Sequence, residues 1–152
     1  MQPRFPVAAT CSRTTGPRRW ICPGFYHWER DIDAIAEART QVVRGWVFDV
    51  ENNTLWPASW GRRPDYADAR AARVAELVAG APTLFPIFGH RFVVGGTAGL
   101  VLSIHQSDII VYGANLREYL TDELATVLDG DHRFHQSDVD RTKIPFWGEL
   151  IG

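Results

Sequence analysis

Apolar residues recur at helical spacing near the start of the folded part of the chain. Over residues 29–44 they fall on one face of a predicted helix, formed by Ile32, Ile35, Ala36, Val42 and Val43. Acidic residues at the beginning suit the positive end of the helix dipole, and Gly45 is the predicted stop. In the next segment, WVFDVENNTLWP from Trp46 onward, two sets of residues alternate at a period of two, and Asn52-Asn53 then forms a predicted turn. This pattern predicts a β-hairpin.

Two further helices are predicted. One covers residues 65–80, with Asp65 as N-cap and Gly80 and Pro82 at its end. Its inner stripe comprises Tyr66, Arg73, Val74, Leu77 and Val78. The other covers residues 115–128, with Asn115 as cap and Glu118 at the capping-box position. Its stripe comprises Leu116, Tyr119, Leu120, Leu124, Val127 and Leu128.

The residues between these two helices are rich in strand-forming types. Alternation predicts adjacent strands over 85–94 and 99–112, with the helix over 115–128 covering the sheet. After a polar linker, the apolar segment 144–151 is expected to dock on the body of the protein. The pattern therefore predicts an α+β fold.

Composition narrows the classes of protein to consider. With 152 residues, 45% hydrophobic and 22% charged, the chain suits one globular domain. We expect an irregular basic leader over residues 1–22 and a single domain over 23–152. The net charge of −2 offers no general attraction for nucleic acid as a primary partner. Without an apolar run long enough for a signal or a membrane span, we expect a cytoplasmic protein that does not bind a membrane.

Neither a metal nor a cofactor is expected. Cys11 and Cys22 are too far apart for a CxxC pair or half of a zinc ribbon. His132 and His135 share the polar linker with several aspartates, but a polar acidic linker contains such residues by composition alone. Ser103 and Ser107 lack the glycines of a nucleophile elbow, which argues against a serine hydrolase.

The best candidate for chemistry is a polar cluster on the two predicted strands. His90 and His105 lie there, with Arg91, Gln106 and Asp108 nearby in sequence. Such a cluster could carry acid–base catalysis if a histidine had a positioned partner and a substrate pocket. The competing interpretation, which we favour, is that the cluster satisfies backbone groups and fixes strand register.

Several segments together resemble bacterial members of the SUKH superfamily, which also contains fungal cell-wall assembly regulators. They are LWPASWGRRP, TLFPIFGHRF, GLVLSIHQSDIIVYGANLREYL and KIPFWGEL, in this order. The similarity covers roughly residues 25–152 and is strongest between Pro82 and Leu120. The chain departs from the family in its basic leader and in Val93-Val94-Gly95-Gly96, where relatives carry a proline-containing loop.

The resemblance implies an α+β domain with a central mixed or mostly antiparallel sheet packed against helices, without cofactor or catalytic residues. It also implies an immunity protein, which binds and neutralises a toxin delivered in competition between bacteria. The identity of the toxin does not carry over. The alternatives are a small hydrolase or nuclease that uses His90 and His105, and a scaffold subunit without a toxin partner.

An immunity protein of this kind would inhibit by occlusion, using a few aromatic and arginine anchors within a polar rim. The candidates for contact or structural roles are Trp60, Arg62, His90, Arg91, Gln106, Asp108 and Tyr112. The pair Arg62-Arg63 with Trp60 could also stack on a base or on a phosphate, although two arginines between a tryptophan and a proline more often cover a loop edge.

Overall fold

A computed structural model describes residues 25–129 and 139–152. The predicted leader over 1–22, both cysteines, His132 and His135 lie outside the described residues. The same holds for three side chains of the third predicted stripe, those of Leu124, Val127 and Leu128.

The first helix, α1, spans Ile32–Asn52 and is longer than the sequence predicts. The β-hairpin predicted from Trp46 onward is wrong, because this segment continues the helix, and so is the stop at Gly45. The buried residues Val42, Trp46, Asp49 and Val50 are four, seven and eight positions apart, which is one face of a helix. Local alternation of residue types was therefore overridden by a helical stripe that packs on the sheet.

The second helix, α2, spans Ala67–Gly80. Its N-cap is Tyr66 and not Asp65, and no side chain caps the helix by a hydrogen bond. Val74 of the predicted stripe is fully buried, whereas Tyr66 is 79% exposed and does not belong to the inner face. The helix begins later than predicted, which places Tyr66 before its first turn.

In the described residues, four antiparallel strands form a sheet in the order β1-β2-β3-β4. The strands are β1 (Leu84–Phe88), β2 (Arg91–Val94), β3 (Val101–His105) and β4 (Asp108–Gly113). Each of the two predicted strands is thus a hairpin. The breaks fall at Gly89-His90 and Gln106-Ser107, where Gly89 and Gln106 adopt positive φ angles of 54° and 57°. The sequence indicates the interruption at Gly89 but not the turn at Gln106-Ser107, because the apolar residues on either side of that turn mask a short polar interruption.

The sheet is packed on both faces. Phe92, Val94, Leu102, Ile104, Ile109 and Val111 face the larger core, which they share with α1 and α2. Alternate residues, among them Ile87, Val93 and Val101, face the other way and pack against Tyr119 and Leu120. This period of two follows from the strand geometry, and it places helices on opposite sides of one sheet.

The third helix, α3, spans Leu116–Asp129 and covers the second face, as predicted. Its start is capped as the sequence indicates, since the backbone N–H of Glu118 donates to Oδ1 of Asn115 at 3.0 Å. The Glu118 carboxylate accepts from the backbone N–H of Ala114 at 3.1 Å, one residue before the usual capping-box donor. Leu116, a member of the predicted stripe, is 38% exposed.

The chain end docks on the larger core, as predicted. Ile144, Trp147 and Ile151 are buried, and the indole N–H of Trp147 donates to the carbonyl of Pro82 at 3.0 Å. Ile151 forms an isolated parallel bridge to Ile109. The single-domain α+β architecture, with an antiparallel sheet and packed helices, is the predicted fold class. Among the described residues, no helix is long and apolar enough to cross a membrane.

Candidate functional site

Four of the candidate residues meet at one end of the sheet, which we call the turn surface: His90, His105, Gln106 and Asp108. His90 lies in the β1–β2 turn and not on a strand as predicted, while His105 ends β3 and Asp108 begins β4. The two histidine rings lie edge to face with centroids 6.2 Å apart. All four residues are exposed to solvent.

Hydrogen bonds to backbone carbonyls hold the two turns that form this surface. The N–H of Ile104 donates to the carbonyl of His90 at 2.9 Å, which ties the two hairpins together. The indole N–H of Trp46 donates to the carbonyl of Gln106 at 2.8 Å. Gln106 therefore joins the β3–β4 turn to α1 through its main chain, whereas the sequence analysis favours a role of this residue in strand register. The side chains of the turn surface are held by a fixed backbone.

A buried carboxylate supports the β3–β4 turn. Asp49 of α1 is 1% exposed, and its Oδ2 accepts from the backbone N–H of Ser107 at 2.8 Å while its Oδ1 accepts from Asn53 Nδ2 at 2.7 Å. Burial alone raises the pKa of Asp49, but the Ser107 and Asn53 hydrogen bonds and the nearby His105 hold it below its ordinary value.

Asp49 is not among the predicted candidates, because it falls in the segment for which the sequence predicts a β-hairpin. The available signal was its position between Trp46 and Val50, which puts an acid on the apolar face of a longer helix. A carboxylate on such a face needs hydrogen-bond donors. Ser107 of the β3–β4 turn and Asn53 at the end of α1 supply them.

The pKa of His90 lies below its ordinary value of 6.5. Partial burial is the main cause, followed by repulsion from Arg91 and His105, while Asp108 acts in the opposite direction. Within the described residues, neither the His90 nor the His105 ring makes a hydrogen bond that would fix its orientation. The lowered pKa of His90 favours its neutral ring, which can accept a hydrogen bond from a partner.

Arg91 and Tyr112 lie elsewhere, on the sheet face covered by α3. The guanidinium of Arg91 donates to the Tyr112 hydroxyl at 2.9 Å and lies 4.3 Å from the centre of its ring. It also pairs with Glu123 of α3 at 3.6 Å, with both side chains about 15% exposed. This arrangement joins β2, β4 and α3, and it leaves little of Arg91 for a partner.

Trp60 and Arg62 are separated from the other candidates. Trp60 is 2% exposed and stacks on Trp46 with centroids 5.5 Å apart, so it belongs to the larger core. Arg62 is exposed, and its guanidinium forms a long ion pair of 3.7 Å with the Asp65 carboxylate, three residues further along the chain. The sequence thus named seven residues that the structure distributes over the turn surface, the α3 interface, the core and an exposed loop.

In the parts of the chain that the structure describes, no group of three or more histidine, cysteine or acidic side chains is arranged to hold a metal ion. Comparison with known protein families, with curated proteins and with solved structures gave no match to this chain. The superfamily resemblance therefore remains an expectation from the sequence.

Proposed function

We propose that the protein is a non-catalytic protein-binding module of the immunity type, which neutralises a bacterial toxin by covering it. The observation that carries this proposal is the turn surface, where exposed polar side chains stand on turns fixed by Trp46 and Asp49. A surface that is already ordered before binding loses little conformational entropy when a partner docks. Such pre-organisation suits tight inhibition by one protein of another.

The contacts around the histidines favour binding over catalysis. A catalytic histidine needs a partner that orients it and a pocket that holds the substrate. The nearest buried acid, Asp49, is occupied by Ser107 and Asn53. Its lowered pKa keeps it ionised near neutral pH, so it is a poor proton donor.

The test is a titration of inhibition. A candidate toxin is the variable C-terminal domain of a large secreted protein encoded next to this gene, or a protein that co-purifies in equal amount from the native host. We expect full inhibition at one inhibitor per toxin and no turnover by the chain itself. Asp108→Lys should weaken inhibition by about tenfold or more, because charge complementarity at an interface would be reversed.

The matched control is Asp68→Lys, which makes the same change at an exposed position of α2. Equal effects of the two substitutions would contradict a role for the turn surface. Multiple turnover of a nucleic-acid, ester or phosphate substrate, lost in a folded His90→Gln/His105→Gln variant, would overturn the proposal in favour of a hydrolase or nuclease.

A further inference from the structure

A second surface lies at the other end of β1. A groove of about 310 Å³ runs between α1, α2 and the first residues of β1. We call it the α1–α2 groove. Its lining is mainly apolar and small, and includes Val43, Ala79, Pro82, Leu84 and Trp147. Leu84 begins β1, whereas His90 lies two residues beyond its end at Phe88, so the groove is distinct from the turn surface.

The groove contains one charged side chain among its lining residues, that of Arg39. Its Nε–H donates to the carbonyl of Leu84 at 2.8 Å, and its guanidinium carbon lies 5.6 Å from the centre of the Phe85 ring. In the described residues Arg39 makes no ion pair. By contrast Arg44, on the same helix, pairs with Glu37 at 2.7 Å. The contacts of Arg39 hold it in place and leave its terminal N–H groups for a carboxylate, which they can bind through two parallel hydrogen bonds.

An exposed aromatic residue extends this surface. Trp28 stacks on Phe85, the ring that Arg39 also contacts, with ring centroids 5.6 Å apart, and it remains 49% exposed. Tryptophan and arginine beside an apolar pocket are the residue types enriched at the energetic centres of protein interfaces. The groove and Trp28 thus combine an anchor pocket, a fixed cation and an aromatic contact.

We propose that the α1–α2 groove binds a segment of a partner protein in which a large apolar side chain is followed closely by a carboxylate. The apolar side chain fills the groove between Val43 and Ala79, and the carboxylate pairs with Arg39. Charge selects this occupant over the protein's own leader, because residues 1–24 contain no aspartate or glutamate and include Arg4, Arg13, Arg18 and Arg19. This inference does not depend on the proposed function of the turn surface.

The experiment selects peptides from a random phage-displayed library against the full chain and measures the synthesised peptides by fluorescence polarisation. We expect enriched peptides to pair an aromatic residue or leucine with an acidic residue, and to bind more weakly as salt is raised. Ala79→Glu should reduce binding at least about tenfold, because it fills the groove and repels the carboxylate. Arg39→Gln should reduce it by a similar factor, since a charged hydrogen-bonded pair is lost.

The matched controls are Ala72→Glu, an exposed alanine of α2 outside the groove, and Arg44→Gln on α1. Both should bind the peptides as the unchanged chain does. Because Arg39 also contacts the Leu84 carbonyl, each variant is first compared by circular dichroism and melting. If Arg39→Gln does not fold, Ala79→Glu alone decides between the outcomes.

Three results would overturn the proposal. The first is a set of selected peptides that is insensitive to Ala79→Glu or lacks acidic residues. The second is tighter peptide binding after removal of residues 1–24, which would show that the groove is occupied by the chain itself. The third is a concentration-dependent dimer that Ala79→Glu dissociates, which would make the groove a contact between two copies.

Discussion

The indole N–H of Trp46 donates a 2.8 Å hydrogen bond to the carbonyl of Gln106. The neighbouring residue of α1, Gly45, lies close to the main chain of the same Gln106. A β-carbon on Gly45 would lie 3.1 Å from the Gln106 Cα. The middle of α1 and the β3–β4 turn are therefore in close main-chain contact, and the absence of a side chain at Gly45 permits it.

Gly45→Ala tests this contact. Alanine favours a helix over glycine by about 1 kcal/mol, so the substitution should stabilise a helix that has space for it. At Gly45 we expect that gain to be offset or reversed by the approach to Gln106. The control is Gly80→Ala at the end of α2, where nothing lies within 4 Å of the added carbon. Urea unfolding should rank Gly80→Ala as the more stable variant, and the opposite order would contradict the contact.

Asp49→Asn should lower the free energy of unfolding by about 1–3 kcal/mol, because an amide cannot accept hydrogen bonds from Ser107 and Asn53 with both of its terminal atoms. Glu37→Gln on the exposed side of α1 is the control and should change stability by less than about 1 kcal/mol. Chemical denaturation at pH 7 measures both. An effect at Asp49 as small as that at Glu37 would show that the carboxylate does not support the turn.

The same carboxylate should give a pH dependence with a defined sign. Its pKa in the folded protein is below the ordinary value of 3.8, so the unfolded chain binds the proton more tightly. The stabilisation is therefore present above that value and is lost as pH falls through the folded pKa. We expect the difference between the unchanged chain and Asp49→Asn to narrow between pH 5 and pH 2, roughly. A difference that widens toward acid would contradict this assignment.

Trp60→Ala should cost about 3–5 kcal/mol, as expected for removal of a large buried aromatic side chain. Trp28→Ala should cost much less, since Trp28 is 49% exposed and Trp60 only 2%. Thermal melting followed by circular dichroism compares the two. Should Trp60→Ala leave the melting temperature unchanged, Trp60 would not be the core residue that its contacts with Trp46 and Trp56 describe.

A proton NMR titration of His90 should give a midpoint below 6.5, chiefly because burial disfavours the charged ring. The same residue in urea supplies the reference for the unfolded chain. Since the unfolded state then binds the proton more tightly, protonation of His90 should destabilise the fold as pH falls below 6.5. A midpoint above the reference would mean that attraction from Asp108 outweighs burial.

The sequence by itself determined the fold class, the presence of three helices, the capped start of α3 and the docking of the chain end. These features depend on residues close together in the sequence: the spacing of apolar residues, the capping residues of a helix and an apolar terminal segment. Asn115 and Glu118, for example, act within one helical turn, so their roles follow from the residues nearby. The continuation of α1 through Gly45 did not follow, because the packing of Trp46 and Val50 in the larger core decides it.

Only the tertiary structure decided which candidate residues share a surface. His90 and Arg91 are adjacent in sequence, yet His90 lies in the exposed β1–β2 turn, whereas Arg91 begins β2 on the sheet face that α3 covers. Asp49 meets Ser107, and Arg39 meets Leu84 and Phe85, across separations of about 45–58 residues that no local pattern encodes. Long-range pairing of this kind depends on how α1 packs on the sheet, which is why the buried acid and the groove emerged only from the fold.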